Sequence, residues 1–401
     1  MTRVLVSVAC LVCCGTGVAQ ELVITNARII DGTGQTIDRG SISIADGRIT
    51  AVVPGSYGGP GDSLDAVGMT VMPGLIDTHR HVALGTFLQG RAEESMNELL
   101  ARGLTTIFVT GGLMQELLDL RERLESGEIV GPRMLTTGPG FTAPDGWPVP
   151  LASRIAPERR DDASVEVSDP MTAQDEVRRH AQLGVDAVKI YYDHPDFSTL
   201  DDRVLDAILI EAEHLGLATF AHTSGVEETM RVARSGIDRL VHSVRGIESD
   251  PADVRYLRDS EIAVSTTVSF ETEEHGTAQG VAYASEAERA LEQRLNSLRY
   301  LWDEDVLVAF GTDSPFALGS TFMTEVRALS RVFAPSEIVA SMTKNAAEYM
   351  YLSEELGTLE QGKVADLLVI DGDPLVDVTA LEEIRFVIQN GRIVFDSQNT
   401  E

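Results

Sequence analysis

Residues 185–242 read VDAVKIYYDHPDFSTLDDRVLDAILIEAEHLGLATFAHTSGVEETMRVARSGIDRLVH. Three short apolar runs stand out, Ala187–Tyr191, Ala218–His222 and Arg239–His242. Between them lie two longer stretches of helical period, Leu200–Leu215 and Val226–Ser235. Short buried runs alternating with helices are the grammar of parallel strands joined by crossovers. The alternation continues outward on both sides. Thr70–Met72 running on to Asp77, Thr105–Val109 and Arg133–Thr137 precede it, and Ala263–Ser269 and Val306–Gly311 follow. Ala92–Arg102, Met114–Glu125, Ala173–Leu183 and Glu286–Asp303 supply further helices. Eight such strands predict an α/β fold, a closed (β/α)8 TIM-like barrel with its site at the C-terminal ends of the strands. The alternative, an open doubly wound sheet, would often show a phosphate-binding glycine turn after its first strand, and none is present.

Both ends of the chain carry hairpin signals instead. Ile42 and Ile44 alternate with serines before the Asp46-Gly47 turn, and Phe386–Ile388 precede the Asn390-Gly391 turn. Neither end can make a stable sheet alone, so the two are expected to pair. The predicted organisation is a small β-domain from residues 20–70 plus 355–401 beside a barrel of residues 71–354. Residues 140–172, rich in Pro, Gly, Asp and Arg, are expected to form a loop over the site.

Residues 1–19 have the pattern of a signal peptide: Arg3, an apolar run from Val4 to Val12, and the small residues Gly17-Val18-Ala19 before Gln20. The expectation is export, to the periplasm or outside the cell. Cys10 after Ala9 raises the alternative of a lipid anchor, against which Ser7 speaks. All 3 cysteines, Cys10, Cys13 and Cys14, fall in this segment, so the mature chain would use neither disulfides nor thiolate ligands. A net charge of −31 argues against nucleic acid and anionic membrane partners. No body segment is long and apolar enough to span a bilayer. A small-molecule substrate is expected, and a homo-oligomer is left open. The acidity is read as habitat, with a cationic substrate as the alternative. Lysine occurs only as Lys189, Lys344 and Lys363, which makes each one informative.

His79 and His81 follow Pro73-Gly74-Leu75-Ile76-Asp77. Two residues apart in a strand, they face the same side and can share a divalent ion such as zinc. Lys189 closes an apolar strand, where a charged amine is costly to bury. It is read either as an ion-paired lysine or as one neutralised by CO₂ to a metal-bridging carbamate. His222 and His242 end adjacent strands, and Asp313 follows Val308–Thr312, where it can hold a metal and accept a proton. His180, His194, His214 and His275 read as helix-surface or loop residues, with His194 and His275 within possible reach of substrate. Tyr191, Tyr192 and Trp147 are the candidates for substrate contact.

As a set, these motifs resemble the amidohydrolase superfamily. Pro73–His81 resembles its opening metal motif, Val185–Ile190 its carbamylated-lysine strand and Gly311-Thr312-Asp313 its final aspartate. The tail also matches, from Asn345-Ala346-Ala347 through Gly357-Thr358 and Gly362–Asp366 to Asp373-Pro374-Leu375. The likeness is greatest to the imidazolonepropionase-related and prolidase-like branch. It implies a β-sandwich beside a (β/α)8 barrel and two divalent metals, zinc being the first choice. His79, His81, Lys189 and Asp313 would hold the more buried metal. His222, His242 and an N6-carboxylated Lys189 would hold the other. Imidazolonepropionase itself uses one metal and no bridging lysine, so Lys189 argues against that activity. Prolidase-like dipeptidases carry Gly-Gly-His where this chain has Asp145-Gly146-Trp147. They also have a Tyr shortly after the strand-five histidine, where Thr223-Ser224-Gly225 stands here. The expected chemistry is attack of a metal-bridging hydroxide on an amide or other C–N bond of a peptide-like or N-acyl molecule. Asp313 would shuttle the proton, with Lys189 and His242 in the catalytic set. A lactonase, carbamate or phosphoester hydrolase is the alternative within the site, and a non-catalytic metal-binding scaffold the alternative outside it.

Overall fold

The computed structural model describes residues 21–57, 61–82, 92–149, 164–192, 197–269, 284–314 and 320–398. The expected signal peptide, His194 and His275 lie outside these residues.

The two chain ends build one eight-stranded sheet. From the N-terminal side come β1 (Leu22–Ile30), β2 (Thr36–Ala45), β3 (Arg48–Pro54), β4 (Asp62–Asp65) and β5 (Met69–Pro73). From the C-terminal side come β16 (Leu367–Asp371), β17 (Ile384–Gln389) and β18 (Arg392–Asp396). The order is β18-β17-β16-β5-β1-β2-β3, with β4 also on β1. Its two tightest hairpin turns have positive φ at both central residues, 52° and 76° at Asp46-Gly47 and 49° and 75° at Asn390-Gly391. That is the turn whose twist matches antiparallel strands, and it is why Asn or Asp followed by Gly stands at each. Ile24, Ile29, Ile42, Val71, Leu367 and Val369 make its apolar face.

The remaining strands are parallel. One sheet holds β6 (Leu75–Arg80), β7 (Leu104–Val109) and β8 (Arg133–Thr136). The other has the order β10-β9-β11-β12-β13-β14-β15, from β9 (Gly140–Thr142), β10 (Ser164–Glu166), β11 (Ala187–Tyr191), β12 (Ala218–His222), β13 (Arg239–Leu240), β14 (Ala263–Ser265) and β15 (Val308–Ala309). Helices run between most of them. Pro170–Leu183 shows why such helices start and stop where they do. Asp169 accepts from Thr172 N–H, Pro170 fills the first turn, and Gly184 at φ 85° ends it.

Backbone hydrogen bonds join the two sheets on both sides. Thr78 N–H donates to Phe310 O at 3.0 Å and Asp313 N–H to His79 O at 2.8 Å. On the other side Asp186 N–H donates to Thr136 O at 2.8 Å. Ile76, Phe108 and Leu135 of the first sheet pack with Ala187, Phe220, Ala263 and Ala309 of the second in one buried cluster. The opposite faces, such as Val188, Ile190 and Val264, pack under the helices. Each such large side chain contributes about 1.5–3 kcal/mol by leaving water.

Three expectations are corrected. The run from Thr70 to Asp77 is two strands in two sheets, because Gly74 N–H bonds Asp366 O while Leu75 N–H bonds Gly103 O. A uniform apolar run gives no sign of that change of partner. The segment 140–172 is not all loop: β9 and β10 are strands, each of 3 residues and too short to show a period. His180 is fully buried rather than at a helix surface, with Nδ1 2.9 Å from Glu176 O and its ring against Phe141. Among the described residues no helix is long and apolar enough to cross a membrane.

Candidate metal centre

The parallel strands end in a group of histidines and one carboxylate. His79 lies within β6, and His81 follows its last residue. His79 Nε2 and His81 Nε2 are 3.3 Å apart. Asp313 Oδ1 lies 3.1 Å from the first and 3.2 Å from the second. Tetrahedral ligands about 2.1 Å from a zinc-sized ion stand about 3.4 Å from one another. The three atoms are therefore spaced as a shared divalent ion requires. The tautomer fits as well: the Val241 carbonyl lies 3.1 Å from His79 Nδ1, so that nitrogen donates and Nε2 keeps its lone pair.

Electrostatics keep His79, His242 and Asp313 in the ligating state. Burial lowers the His79 pKa to about 3, with Asp313 opposing and Lys189 adding to the shift. Burial also holds His242 well below its usual range, helped by His222 and His79. For Asp313 burial, the largest single influence, works the other way, but the charge and hydrogen bond of His79, the His81 hydrogen bond and the His242 charge together outweigh it. Its carboxyl stays well below the usual range. Neutral imidazoles and an ionised carboxylate are what a cation needs.

The other expected residues converge on the same place. His222, the last residue of β12, has its ring centre 4.6 Å from that of His242, which in turn is 4.7 Å from His79. Both His242 and Asp313 stand past the ends of their strands, β13 stopping at Leu240 and β15 at Ala309. Lys189 is buried in β11, its Nζ 5.2 Å from the Tyr191 ring. Burial pulls its pKa down to about 7, with Asp313 opposing. Gly140 makes room for it, since a β-carbon there would collide with the Tyr191 ring and come within 2.8 Å of Lys189 Cγ.

Tyr191 shares the inward face with Lys189, its ring 5.8 Å from that of His222. Burial raises its pKa, so its hydroxyl keeps its proton. Trp147 stacks beside His222 at 6.4 Å and 24°, with Phe197 5.6 Å away. Tyr192 differs from expectation. Strand alternation turns it to the other face, where it packs in the hydrophobic core with Val188 and Ile190.

Residues 70–394 match the sequence profile of the amidohydrolase family. The chain belongs to the amidohydrolase family. Its relatives include a 5-methylthioadenosine/S-adenosylhomocysteine deaminase of Symbiobacterium thermophilum, 25% identical over 94% of each chain. An imidazolonepropionase of Thermoplasma volcanium is 22% identical over 90% of this chain and 91% of that one. Among solved structures, a Xaa-Pro dipeptidase with bound methionine superposes at a TM-score of 0.81, with 22% identity over 94% of this chain and all of the other. Ochratoxinase of A. niger superposes at 0.82, with 19% identity over 96% and 98%. These structural likenesses carry the fold. Members of the family generally use divalent metals, and the His79, His81 and Asp313 group of this amidohydrolase suits one.

Two residues around the site escaped the sequence reading. Asp77 is fully buried and accepts from Arg80 Nη1 at 3.1 Å, Thr312 N–H at 3.1 Å and Thr312 Oγ1 at 2.7 Å. It pairs with Arg80, and it also ties the His79 strand to the residue before Asp313. A carboxylate in an apolar strand was the available signal. Thr267 Oγ1 lies 2.9 Å from His242 Nδ1. No sequence pattern marks it, because its role depends on a turn.

Proposed function

We propose that this chain is an exported hydrolase with two divalent metals. It would cleave an amide or other C–N bond of a small peptide-like or N-acyl substrate. We also propose that the two parallel sheets form one closed barrel, with the terminal sheet as a separate small domain. The bonds on both sides of the sheets and their shared interior cluster support that closure.

The observation that carries the two-metal reading is Lys189, a buried amine in reach of the charges of His79, His242 and Asp313. A pKa near 7 leaves much of it unprotonated at neutral pH. A neutral amine can attack CO₂, forming one C–N bond and releasing one proton to water, and so becomes an anionic carbamate with two oxygens. His79, His81 and Asp313 would hold one ion, His222 and His242 the other, and carboxylated Lys189 would reach both. Zinc is the first candidate for each ion. Divalent ions in such a site supply an activated water and a Lewis acid for a carbonyl oxygen. Asp313 accepts the proton of the attacking water and returns it to the leaving nitrogen. The protonated Tyr191 hydroxyl would donate to the substrate, and Trp147 would pack against it. The deaminase among the relatives breaks a carbon–nitrogen bond by definition, which supports this bond class.

The test is metal analysis of the purified mature chain with a screen of N-acyl amino acids, dipeptides and lactones. About two metals per chain and turnover of an amide are expected. Metal-free protein, or turnover of lactones alone, overturns the reading. Asp313→Asn should retain much of the metal and lose turnover by roughly 10²–10⁴-fold. Near-normal rates would remove Asp313 as the proton carrier.

A further inference from the structure

Past the end of β14 the chain turns through Thr267 at φ 49°. A β-branched residue is a genuine outlier in this left-handed region. Such a conformation persists only where the surroundings over-determine it, and here they do. Thr267 N–H donates to Gly311 O at 3.0 Å. The next two N–H groups, of Val268 and Ser269, donate at 3.0 and 2.6 Å to the two carboxylate oxygens of Glu325. Ser269 Oγ donates to Thr312 O at 3.0 Å, joining the turn to the residue before Asp313. Glu325 itself is fully buried, on the helix Ser320–Leu329.

A carboxylate is a costly group to bury, and an apolar residue would serve ordinary helix packing better. Its two oxygens, however, match two successive backbone N–H groups, which is the fork that a single acceptor cannot supply. The result of the clamp is specific. It brings Thr267 Oγ1 to 2.9 Å from His242 Nδ1.

We propose that Glu325 and Thr267 are positioning residues for His242: Glu325 clamps the left-handed turn, and Thr267 Oγ1 accepts a hydrogen bond from the His242 Nδ1–H. The ring is then held in the tautomer whose Nε2 lone pair is free for a metal. That state of the ring is what a ligating histidine needs, and the partner of its other nitrogen sets it. The inference rests on the metal-ligand reading of His242, but the tautomer can be measured without any metal.

The experiment compares Thr267→Val, which keeps the β-branch and removes only the hydroxyl, with Thr267→Ser and Glu325→Gln. The ring tautomer of His242 is read by ¹⁵N-histidine NMR of metal-stripped protein, with His242→Ala for assignment. Metal affinity is read by chelator competition on reloaded protein. The wild type and Thr267→Ser are expected to show the Nδ1–H form. Thr267→Val should lose that preference and bind metal roughly 10–100-fold more weakly. Glu325→Gln should shift both readings in the same direction. Unchanged tautomer and affinity in Thr267→Val overturn the inference. If Glu325→Gln does not fold, the two Thr267 variants still decide it. If the wild type binds no metal, the proposed function falls, while the tautomer still supports or overturns the positioning role.

Discussion

Lys189 and Arg239 are both buried cations on the parallel strands, one in the middle of β11 and the other at the start of β13. Their surroundings differ. Arg239 Nε donates to Tyr349 O at 2.9 Å, and Nη1 donates to Asp238 O at 2.9 Å and Glu261 O at 3.0 Å. Its guanidinium also lies 4.1 Å from the centre of the Tyr351 ring. Burial lowers the pKa of both groups, but arginine starts so high that it stays charged, whereas Lys189 falls to about 7. Around Lys189 stand the Tyr191 ring and the charge of Asp313. One end of the strands thus surrounds its cation with carbonyl oxygens and a ring, which serves stability. Lys189, further along its strand, is an amine close to losing its charge, which its proposed reaction with CO₂ requires.

The largest effect expected from this contrast is on catalysis. Lys189→Met, which keeps the stem and removes the amine, should lower kcat/KM by about 10³-fold or more and reduce metal content. Its unfolding free energy should change little, because the amine is not part of the load-carrying framework. Full metal occupancy in this variant would erase the distinction from Arg239. Arg239→Met should do the reverse. It leaves three carbonyls without their donor, so unfolding free energy should fall by about 3–5 kcal/mol with metal content unchanged. A loss of metal without a loss of stability would break the comparison.

Glu325 extends the contrast to an anion. Burial pushes its pKa up to about 7 from 4.5, against the hydrogen bonds it accepts. Its folded pKa exceeds the unfolded one, so the native state binds the proton more tightly. The stability this supplies is full below about pH 4.5 and lost as pH rises through about 7. Relative to Glu325→Gln, the metal-free wild type should therefore lose about 2.5 kcal/mol between pH 5 and 8. Denaturant titrations at the two pH values measure it, and a pH-independent difference would mean that Glu325 does not titrate in this range. The smallest effect concerns the substrate. Trp147→Ala should raise KM about tenfold with kcat little changed, as expected for a wall rather than a reacting group.

Much of the fold was readable from period and turn chemistry. The strands β11 and β12 are bounded in the structure where the sequence places them, β7 begins one residue earlier at Leu104, and the Asp46-Gly47 and Asn390-Gly391 turns are as expected. What escaped were short or divided elements. β9 and β10 have too few residues for a pattern, and the change of sheet at Gly74 happens inside one apolar run. The two-residue spacing of His79 and His81 does turn both rings to one point. The same alternation that favours Tyr191 removes Tyr192, a distinction the sequence already contained but which needed the inward face to be known.

The amino-acid sequence by itself determined which side chains are candidate metal ligands and that most of them fall near strand ends, because residue type and strand period are local properties. It also marked Lys189 as an amine in an apolar run. Only the tertiary structure decided the rest. The approach of Asp313 to two histidines 234 and 232 positions away, the Asp77 tie across to Thr312, and the Glu325 clamp on the turn at Thr267 join residues far apart in the chain. The physical reason is that ligand spacing and ring tautomer are set by hydrogen bonds between separate strands, and those contacts have no signature in local sequence.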